Sequence, residues 1–163
     1  MEAARTSKRI TDSRFTLSAL MGPQDANSHG NVHGGVIMKM VDEAGALVAM
    51  RHANLPVVTV AVDSMTFMEP ILVAQLVMFH AEITYVGRTS MEVRVDVVSE
   101  DPMRGTSKLT NKAFLVYVAI DEEGRPAVVP ELIYETDEQR TRAEQARARQ
   151  AFRKQQRDLE PAR

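Results

Sequence analysis

The chain has no cysteine among its 163 residues. This absence excludes disulfide bonds, cysteine-ligated zinc and a thiol nucleophile. An excess of one charge is also lacking, and the net charge of −2 gives no support for a nucleic-acid-binding protein. The N-terminus has no apolar signal segment, and no apolar run approaches the roughly 18 residues of a membrane span. We therefore expect a cytoplasmic protein that binds neither nucleic acid nor membrane.

What is present is the composition of an ordinary globular protein, with 44% hydrophobic and 26% charged residues. The length suits one domain with a real core. Residues 1–13 are polar and are expected to form a flexible N-terminus, followed by the folded domain over residues 14–135. Residues 136–163 are rich in Glu, Gln, Arg and Ala, which predicts a polar helical tail. Such a tail is either solvated and partly docked or a binding element for a partner.

The spacing of apolar residues predicts one long helix and five strands. Residues 15–20 show the alternation of a short strand, and the Gly- and Asn-rich loop 21–35 leads into a helix over Gly35–His52. Beyond Pro56 the period changes to two, which predicts four further strands: Val57–Met68, Val73–Val86, Thr89–Val98 and Leu109–Ile120. We therefore expect an α+β fold in which an antiparallel sheet wraps one central helix.

Asp42 interrupts the apolar pattern of the predicted helix, where its neighbours include Val41, Ala44 and Val48. Burying a carboxylate costs free energy unless another group uses or satisfies it. The position is therefore typical of a functional site, and Asp42 is the candidate general base. Glu43 is the next residue around the helix, and we interpret it as a surface or interface charge.

The predicted helix begins at His33, Gly34 and Gly35. Free N–H groups at a helix N-terminus form a cluster of donors, and glycines let a ligand approach them closely. Such a cluster suits an oxyanion or a polarised carbonyl group, although turn geometry alone also explains the glycines. His33 is placed to line such a site.

Gly34 and Asp42 are eight residues apart in the sequence, which corresponds to roughly 12 Å along one helix. A reacting atom has to lie within about 3.5 Å of its partners, so one substrate carbon cannot touch both residues of the same chain. Either the two residues have unrelated roles, or two chains pair so that Gly34 of one faces Asp42 of the other. The second alternative predicts a homodimer with two composite sites.

Asn27 and a polar turn complete the candidate set. The Asn27 amide is able to orient a water or a substrate carbonyl, although an Asx turn is the ordinary use of a loop asparagine. The turn of Gly87, Arg88, Thr89 and Ser90 offers a cation, two hydroxyls and a flexible backbone, which suits a phosphate group. The same four residues also fit any polar hairpin turn. The spacing of histidines and acids indicates no metal site.

Six motifs occur in a fixed order along the chain. They are Asp25-Ala26-Asn27, Gly30-Asn31-Val32-His33-Gly34-Gly35, Met40-Val41-Asp42-Glu43-Ala44-Gly45, Val58–Asp63, Tyr85–Val93 and Thr110–Ala113. Together they resemble the acyl-CoA thioesterases of the hotdog fold, and in particular the cytosolic (brain-type) acyl-CoA hydrolases and their single-domain bacterial relatives. The resemblance covers residues 14–133.

The resemblance implies hydrolysis of acyl-CoA to free fatty acid and CoA, at sites on the dimer interface of a hotdog fold. It implies that Asp42 is general base or nucleophile, that Asn27 orients the water or the carbonyl, and that the Gly34 N–H polarises the thioester carbonyl. The residues expected to contact substrate or CoA are His33, Gly35, Gly87, Arg88, Thr89 and Ser90. No cofactor is implied, because CoA is part of the substrate. Identical chains are expected to form a homodimer, and a hexamer as a trimer of dimers.

Two other functions stay open. A hotdog hydratase or dehydratase acting on enoyl or hydroxyacyl thioesters would need a catalytic histidine opposite an acid, which His33 would supply. A non-catalytic acyl-CoA-binding module would bind CoA without turnover, but such a module has no need for Asp42. Acyl-chain preference depends on how residues such as Met38, Met65 and Phe67 pack across two chains.

Overall fold

An antiparallel sheet and one long helix form the body of the chain in the computed structural model, which describes residues 5–159. The strands are β1 (Ser7–Arg9), β2 (Phe15–Leu20), β3 (Val57–Phe67), β4 (Leu76–Val86), β5 (Ser90–Asp101), β6 (Thr106–Ala119) and β7 (Glu131–Ile133). The helices are α1 (Ile10–Ser13), α2 (Gly34–Ala53) and α3 (Asp137–Leu159), and a 3₁₀ turn covers Pro23–Asp25. The predicted central helix and the five predicted strands are confirmed, within a few residues of their expected ends.

Five strands form one sheet in the order β2-β4-β5-β6-β3, and every neighbouring pair is antiparallel. Helix α2 lies against one face of this sheet, here called the inner face. Alternate residues of β4 and β5 are fully buried, among them Phe79, Ile83, Val93 and Val95. Each such side chain stabilises the fold by roughly 1.5–3 kcal/mol, so the apolar contact of α2 with the sheet is the main core. Strands β2 and β3 are the two edges.

Local interactions define both ends of α2. The His33 side chain accepts a hydrogen bond from the Gly35 N–H at 2.9 Å, which is the role of an N-cap. At the other end Asn54 adopts the left-handed conformation, with φ of 54°. The Lys8 ammonium donates to two carbonyl oxygens of the last turn, where a cation also interacts favourably with the helix dipole.

Residues 7–13 correct the expectation of a flexible N-terminus. Strand β1 pairs in parallel with β7, and Ile10 and Ser13 of α1 are buried. The Arg5 guanidinium donates to the carbonyl oxygens of Gly87 and Val129. A polar segment this short gives no sequence signal for docking, because its partner strand is distant in the chain. The part of that expectation that concerns residues 1–4 lies outside the described residues.

Helix α3 covers the opposite face of the sheet, here called the outer face. Its buried residues are Ala143 and Ala146. Three of its arginines pair with carboxylates of the sheet: Arg142 with Glu82, Arg149 with Glu92 and Arg153 with Asp63. The predicted polar helix is therefore confirmed, and it docks on the sheet mainly through charge.

Candidate active site

Asp42 is half-buried on α2 and is held by side chains of β3 and β6. Its Oδ1 atom accepts a hydrogen bond from the Thr59 hydroxyl at 2.8 Å and another from the Tyr117 hydroxyl at 3.1 Å. Two hydroxyl donors on one oxygen fix the orientation of the carboxylate. Within residues 5–159 no donor is bonded to Oδ2, so this oxygen is available to take a proton or to attack a substrate carbon.

Tyr117 is fully buried beneath Asp42. Its hydroxyl also lies 2.9 Å from the Asp42 carbonyl oxygen, so it contacts both the side chain and the backbone of that residue. Burial raises the pKa of the Tyr117 hydroxyl far above its usual value, and the neighbouring Asp42 carboxylate raises this pKa further. The phenol therefore stays protonated and acts as a donor.

Gly45 explains how Tyr117 comes so close to the helix. A Cβ atom at Gly45 would lie 2.3 Å from the Tyr117 hydroxyl oxygen and 3.0 Å from two ring carbons. Real Cβ atoms do not approach other atoms so closely, so glycine is required here for the close contact of β6 with α2. Gly45, about one turn beyond Asp42, thus allows the Tyr117 hydroxyl to reach and orient the Asp42 carboxylate.

Thr59 and Tyr117 are site residues that the sequence analysis did not single out. Thr59 interrupts a run of valines at the start of β3, and Tyr117 stands among the apolar residues of β6. A hydroxyl in an otherwise apolar strand was the available signal. Only the fold shows that both hydroxyls meet the same carboxylate.

The Asn27 side chain organises the loop that precedes α2. Its Oδ1 atom accepts the N–H groups of His29 at 2.8 Å and Asn31 at 3.3 Å. The Asx turn considered from sequence is therefore present. It occupies the amide oxygen, so any contact of Asn27 with a substrate carbonyl falls to its Nδ2 donor.

The start of α2 presents one backbone donor. Gly35 gives its N–H to the His33 ring, which assigns a capping role to both residues. Their expected contacts with substrate stay a prediction. Within the described part of the chain no acceptor is bonded to the Gly34 N–H. Gly34 and Asn27 line one cavity of about 230 Å³, which is also bordered by Phe67.

The turn from Gly87 to Ser90 lies apart from that cavity. Its backbone is tied into the fold, because three of its carbonyl oxygens accept hydrogen bonds from distant residues. The donors are Arg5, Val129 and Ala119. Ser90 pairs with Val118 in β6, next to Tyr117, so the turn is at the same end of the sheet as Asp42.

The candidate residues thus form two groups within one chain. Asp42, Thr59 and Tyr117 make an acidic group, and Asn27 and Gly34 line the cavity at the start of α2. Eight helical residues separate Asp42 from Gly34, which is roughly 12 Å of helix. One chain does not bring the Asp42 carboxylate and the Gly34 N–H to one substrate carbon.

Residues 5–159 contain neither a metal site nor a membrane-spanning helix. No cluster of three or more histidine and acidic side chains is arranged to hold a metal ion. No helix in this part of the chain is long and apolar enough to cross a membrane.

Comparison with known proteins places this chain in a family. Residues 29–106 match the model of the Thioesterase superfamily. The chain is 34% identical over 129 residues to the acyl-CoA thioester hydrolase YciA of Escherichia coli, covering 77% of this chain and 97% of YciA. It is 42% identical over 132 residues to the cytosolic acyl coenzyme A thioester hydrolase of Mus musculus, covering 76% of this chain and 35% of the mouse protein. The chain spans about a third of the length of that mammalian relative.

Solved structures share the fold over nearly the whole chain. A hexameric acyl-CoA thioesterase superposes with a TM-score of 0.89 at 38% identity, covering 93% of this chain and 97% of that one. An acyl-CoA hydrolase from Staphylococcus aureus was solved with butyryl coenzyme A, coenzyme A and coenzyme A disulfide. It superposes with a TM-score of 0.87 at 33% identity, and the match covers 94% of this chain and 93% of that one.

The fold and the family match therefore define a hotdog-fold protein of the thioesterase superfamily. Within that superfamily the chain belongs to the family of acyl-CoA thioester hydrolases. The family and the fold expected from the sequence motifs are both confirmed.

Proposed function

We propose that this chain hydrolyses acyl-CoA thioesters to a free fatty acid and CoA. The observation that carries the proposal is the carboxylate of Asp42, which two hydroxyls orient through one oxygen while the other oxygen has no donor within residues 5–159. This arrangement suits a general base or a nucleophile. Membership in the acyl-CoA thioester hydrolase family supports the same substrate class.

We propose that two identical chains pair through β3. This strand is an edge of the sheet and is 11 residues long. Three of its valines are about half exposed: Val58 at 42%, Val60 at 53% and Val62 at 49%. A long apolar edge strand invites pairing with another strand. The hexameric assembly named for a structural relative supports further association of such dimers, as a trimer of dimers.

Pairing of two β3 strands also brings the two groups of site residues together. Thr59 contacts Asp42 at one end of β3. At the other end Phe67 lies beside Gly34, where a ring carbon is 3.4 Å from the position that a Cβ atom on Gly34 would take. Asp63 is midway between Thr59 and Phe67. An antiparallel pair with its two-fold axis at Asp63 therefore sets the Thr59 end of one strand beside the Phe67 end of the other. Asp42 of one protomer then faces Gly34 of its partner, twice per dimer.

The reaction follows from this composite site. The Gly34 N–H donates to the thioester carbonyl oxygen and stabilises the negative charge that develops there. Asp42 from the other protomer removes a proton from water, and the water oxygen bonds to the carbonyl carbon to give a tetrahedral intermediate. As this intermediate collapses, the carbon–sulfur bond breaks and Asp42 returns the proton to the departing thiolate. Direct attack by Asp42, through an acyl anhydride that water then opens, uses the same geometry. Asn27 orients the water or the carbonyl, and we propose that no cofactor takes part.

We propose that the turn from Gly87 to Ser90 holds the phosphates of CoA. Ser90 lines an outer cleft of about 730 Å³ between the sheet and α3. Four cations of α3 line the same cleft: Arg147, Arg153, Lys154 and Arg157. A cationic surface next to a hydroxyl-rich turn supports binding of a phosphorylated carrier.

The histidine of the hydratase alternative already has a structural partner. His33 uses its Nδ1 atom to cap α2, which commits one ring nitrogen. Hydrolysis is therefore the function that the site supports best.

The test is release of CoA from acyl-CoAs of several chain lengths by wild type, Asp42→Asn and Glu43→Gln. A thiol reagent measures the product without background, because the protein has no cysteine. We expect Asp42→Asn to lower kcat by about 10²–10⁴-fold, the range for loss of a general base. Glu43 is exposed and, among residues 5–159, pairs only with Lys39 at 3.6 Å, so Glu43→Gln is the matched control and should keep full activity. Wild type that releases no CoA from any chain length would contradict the proposal.

A further inference from the structure

Asn111 is a fully buried polar side chain with no hydrogen-bond partner. Its exposure is 0%, and neither Oδ1 nor Nδ2 of its amide is bonded to another group within residues 5–159. An unpaired buried amide costs free energy, and the great majority of buried polar groups in folded proteins are paired. Stability of the fold therefore does not explain an asparagine at this position.

The place of Asn111 in the sheet suggests an explanation. Asn111, Ala113, Leu115 and Tyr117 alternate along β6 and are all buried, so they share the inner face that packs against α2. Tyr117 lies at the Asp42 end of this row. Asn111 lies at the other end, where it pairs with Phe67 of β3. Strand β6 thus places one polar side chain beside each of the two groups of site residues.

Asn111 borders the cavity that Asn27 and Gly34 also line. The rest of the wall is mixed, with apolar residues such as Ile37 and Ile71 beside the polar Asn31 and the acidic Glu69. An amide offers two N–H donors and one carbonyl acceptor. Beside a helix N-terminus and the Glu69 carboxylate, these groups match a neutral polar ligand with an acceptor oxygen better than they match an anion.

We propose that Asn111 is a further catalytic residue, whose Nδ2 donates a hydrogen bond to the carbonyl oxygen of the acyl thioester beside the Gly34 N–H. The inference rests on the proposed hydrolysis and adds a second donor to it. Two donors aimed at one oxygen stabilise the negative charge of the tetrahedral intermediate more than one donor does. The side chain is held in advance, because its burial leaves it few other conformations.

The experiment compares wild type with Asn111→Leu and Asn111→Ala, measuring kcat, KM and the melting temperature. Leucine has nearly the shape of asparagine but no polar group. We expect kcat to fall by about 100-fold, as for loss of one oxyanion donor, with KM little changed. We expect the melting temperature of Asn111→Leu to stay level or rise, because an unpaired buried amide has been removed. Asn111→Ala provides a variant too small to clash if leucine does not fit.

Ser99→Ala is the matched control. The Ser99 hydroxyl is also buried and unpaired within residues 5–159, but Ser99 does not line this cavity. Its substitution should leave both kcat and KM at the wild-type values.

The outcomes separate this inference from the proposed function. Active wild type with kcat retained in Asn111→Leu and Asn111→Ala would overturn the role of Asn111 alone. A loss of activity that only follows a lower melting temperature would also overturn it, as would a change confined to KM. Wild type without any hydrolysis would overturn the proposed function and this inference together.

Discussion

The two faces of the sheet are covered in opposite ways. On the inner face α2 packs through apolar side chains such as Val41, Ala44 and Val48. On the outer face α3 buries only two alanines and is held by pairs of arginine with carboxylate. On the inner face Asp42, Tyr117 and Asn111 lie at the candidate site, whereas carboxylates of the outer face hold a helix in place. Substitutions of the polar groups at the candidate site should affect catalysis, and substitutions of the ion pairs that hold α3 should affect stability.

The largest stability effect is expected from Arg149→Met on the outer face. The Arg149 guanidinium bonds both oxygens of Glu92, at 2.7 and 3.1 Å, and stacks on the Phe114 ring at 3.9 Å. Glu92 is only 3% exposed, so its carboxylate would lose its counter-charge in a buried position. We expect a loss of about 3 kcal/mol in urea unfolding, the low end for a broken buried pair because Arg149 is partly exposed. The activity of the folded variant should be unchanged.

Arg142→Met is the control for this experiment. Glu82 keeps a second partner, Arg14, at 2.9 Å, and both arginines are more exposed than Glu82. We expect a loss of about 1 kcal/mol or less. Equal losses in the two variants would contradict the special importance of the Glu92 pair.

Gly45→Ala should disturb both stability and catalysis, because it lies on the inner face at the site. The added methyl would overlap the Tyr117 hydroxyl, at 2.3 Å from its oxygen. Overpacking of this kind costs about 1–3 kcal/mol and would displace the donor from Asp42. We expect a lower melting temperature and a lower kcat. Combining Gly45→Ala with Tyr117→Phe should restore part of the stability, and strictly additive losses would contradict a direct clash.

Tyr117→Phe removes a single oxygen atom from the inner face of the sheet and so tests the role of that face in catalysis. The Asp42 carboxylate would keep Thr59 as its remaining hydroxyl donor. A hydrogen bond to a charged group is worth about 1.5–3 kcal/mol, so we expect kcat to fall by at least about tenfold. Tyr85→Phe on the outer face is the control, because it keeps the ring on which Arg147 stacks. Its kcat should equal that of wild type. Wild-type kcat in Tyr117→Phe would rule out orientation of Asp42 by the phenol.

The smallest expected effect is a pH dependence of stability from His52. Burial lowers the pKa of this histidine below its usual value. The hydrogen bond to the Pro130 carbonyl and the negative charge of Asp12 partly oppose this shift. The positive charges of Lys8 and Arg5 lower the pKa further. The folded state therefore favours neutral His52. The contribution of His52 to the free energy of unfolding should be complete above about pH 6.5, which is the pKa of histidine in an unfolded chain. It should be lost as the pH falls toward the lower pKa of the folded state.

Melting temperatures of wild type and His52→Gln at pH 7.5 and 5.0 test this effect. Wild type should lose more stability on acidification than His52→Gln does. His80 is exposed on β4, so His80→Gln should behave as wild type. The same acid sensitivity in wild type and His52→Gln would assign it to other groups.

The local parts of this molecule were predictable from the sequence. Helix α2, the strands and the position of Asp42 on the helix depend on residue spacing, which acts over a few residues and is visible in one chain. The spacing of eight positions from Gly34 to Asp42 also sufficed to suggest that one chain does not complete the site. Each of these inferences needs only the geometry of a single helix or strand.

Contacts between distant segments were not predictable in this way. Thr59 and Tyr117 meet Asp42 across separations of 17 and 75 residues, and no periodicity encodes such a meeting. The same holds for the unpaired amide of Asn111, which is unusual only because the fold buries it. The pairing of β1 was not expected from the sequence, and the carboxylates on which α3 docks were not identifiable, since polar segments do not show their partners in advance.

The sequence by itself determined which elements form, which family the chain belongs to and which residues are candidates for catalysis. Periodicity, glycine placement and local motifs carry that information because backbone geometry couples neighbouring residues. Tertiary structure alone decided which oxygen of Asp42 is occupied, why Gly45 has no side chain and how charge fastens α3 to the sheet. Those features depend on distances between residues far apart in the chain, and only the packing of the sheet on its helices sets these distances.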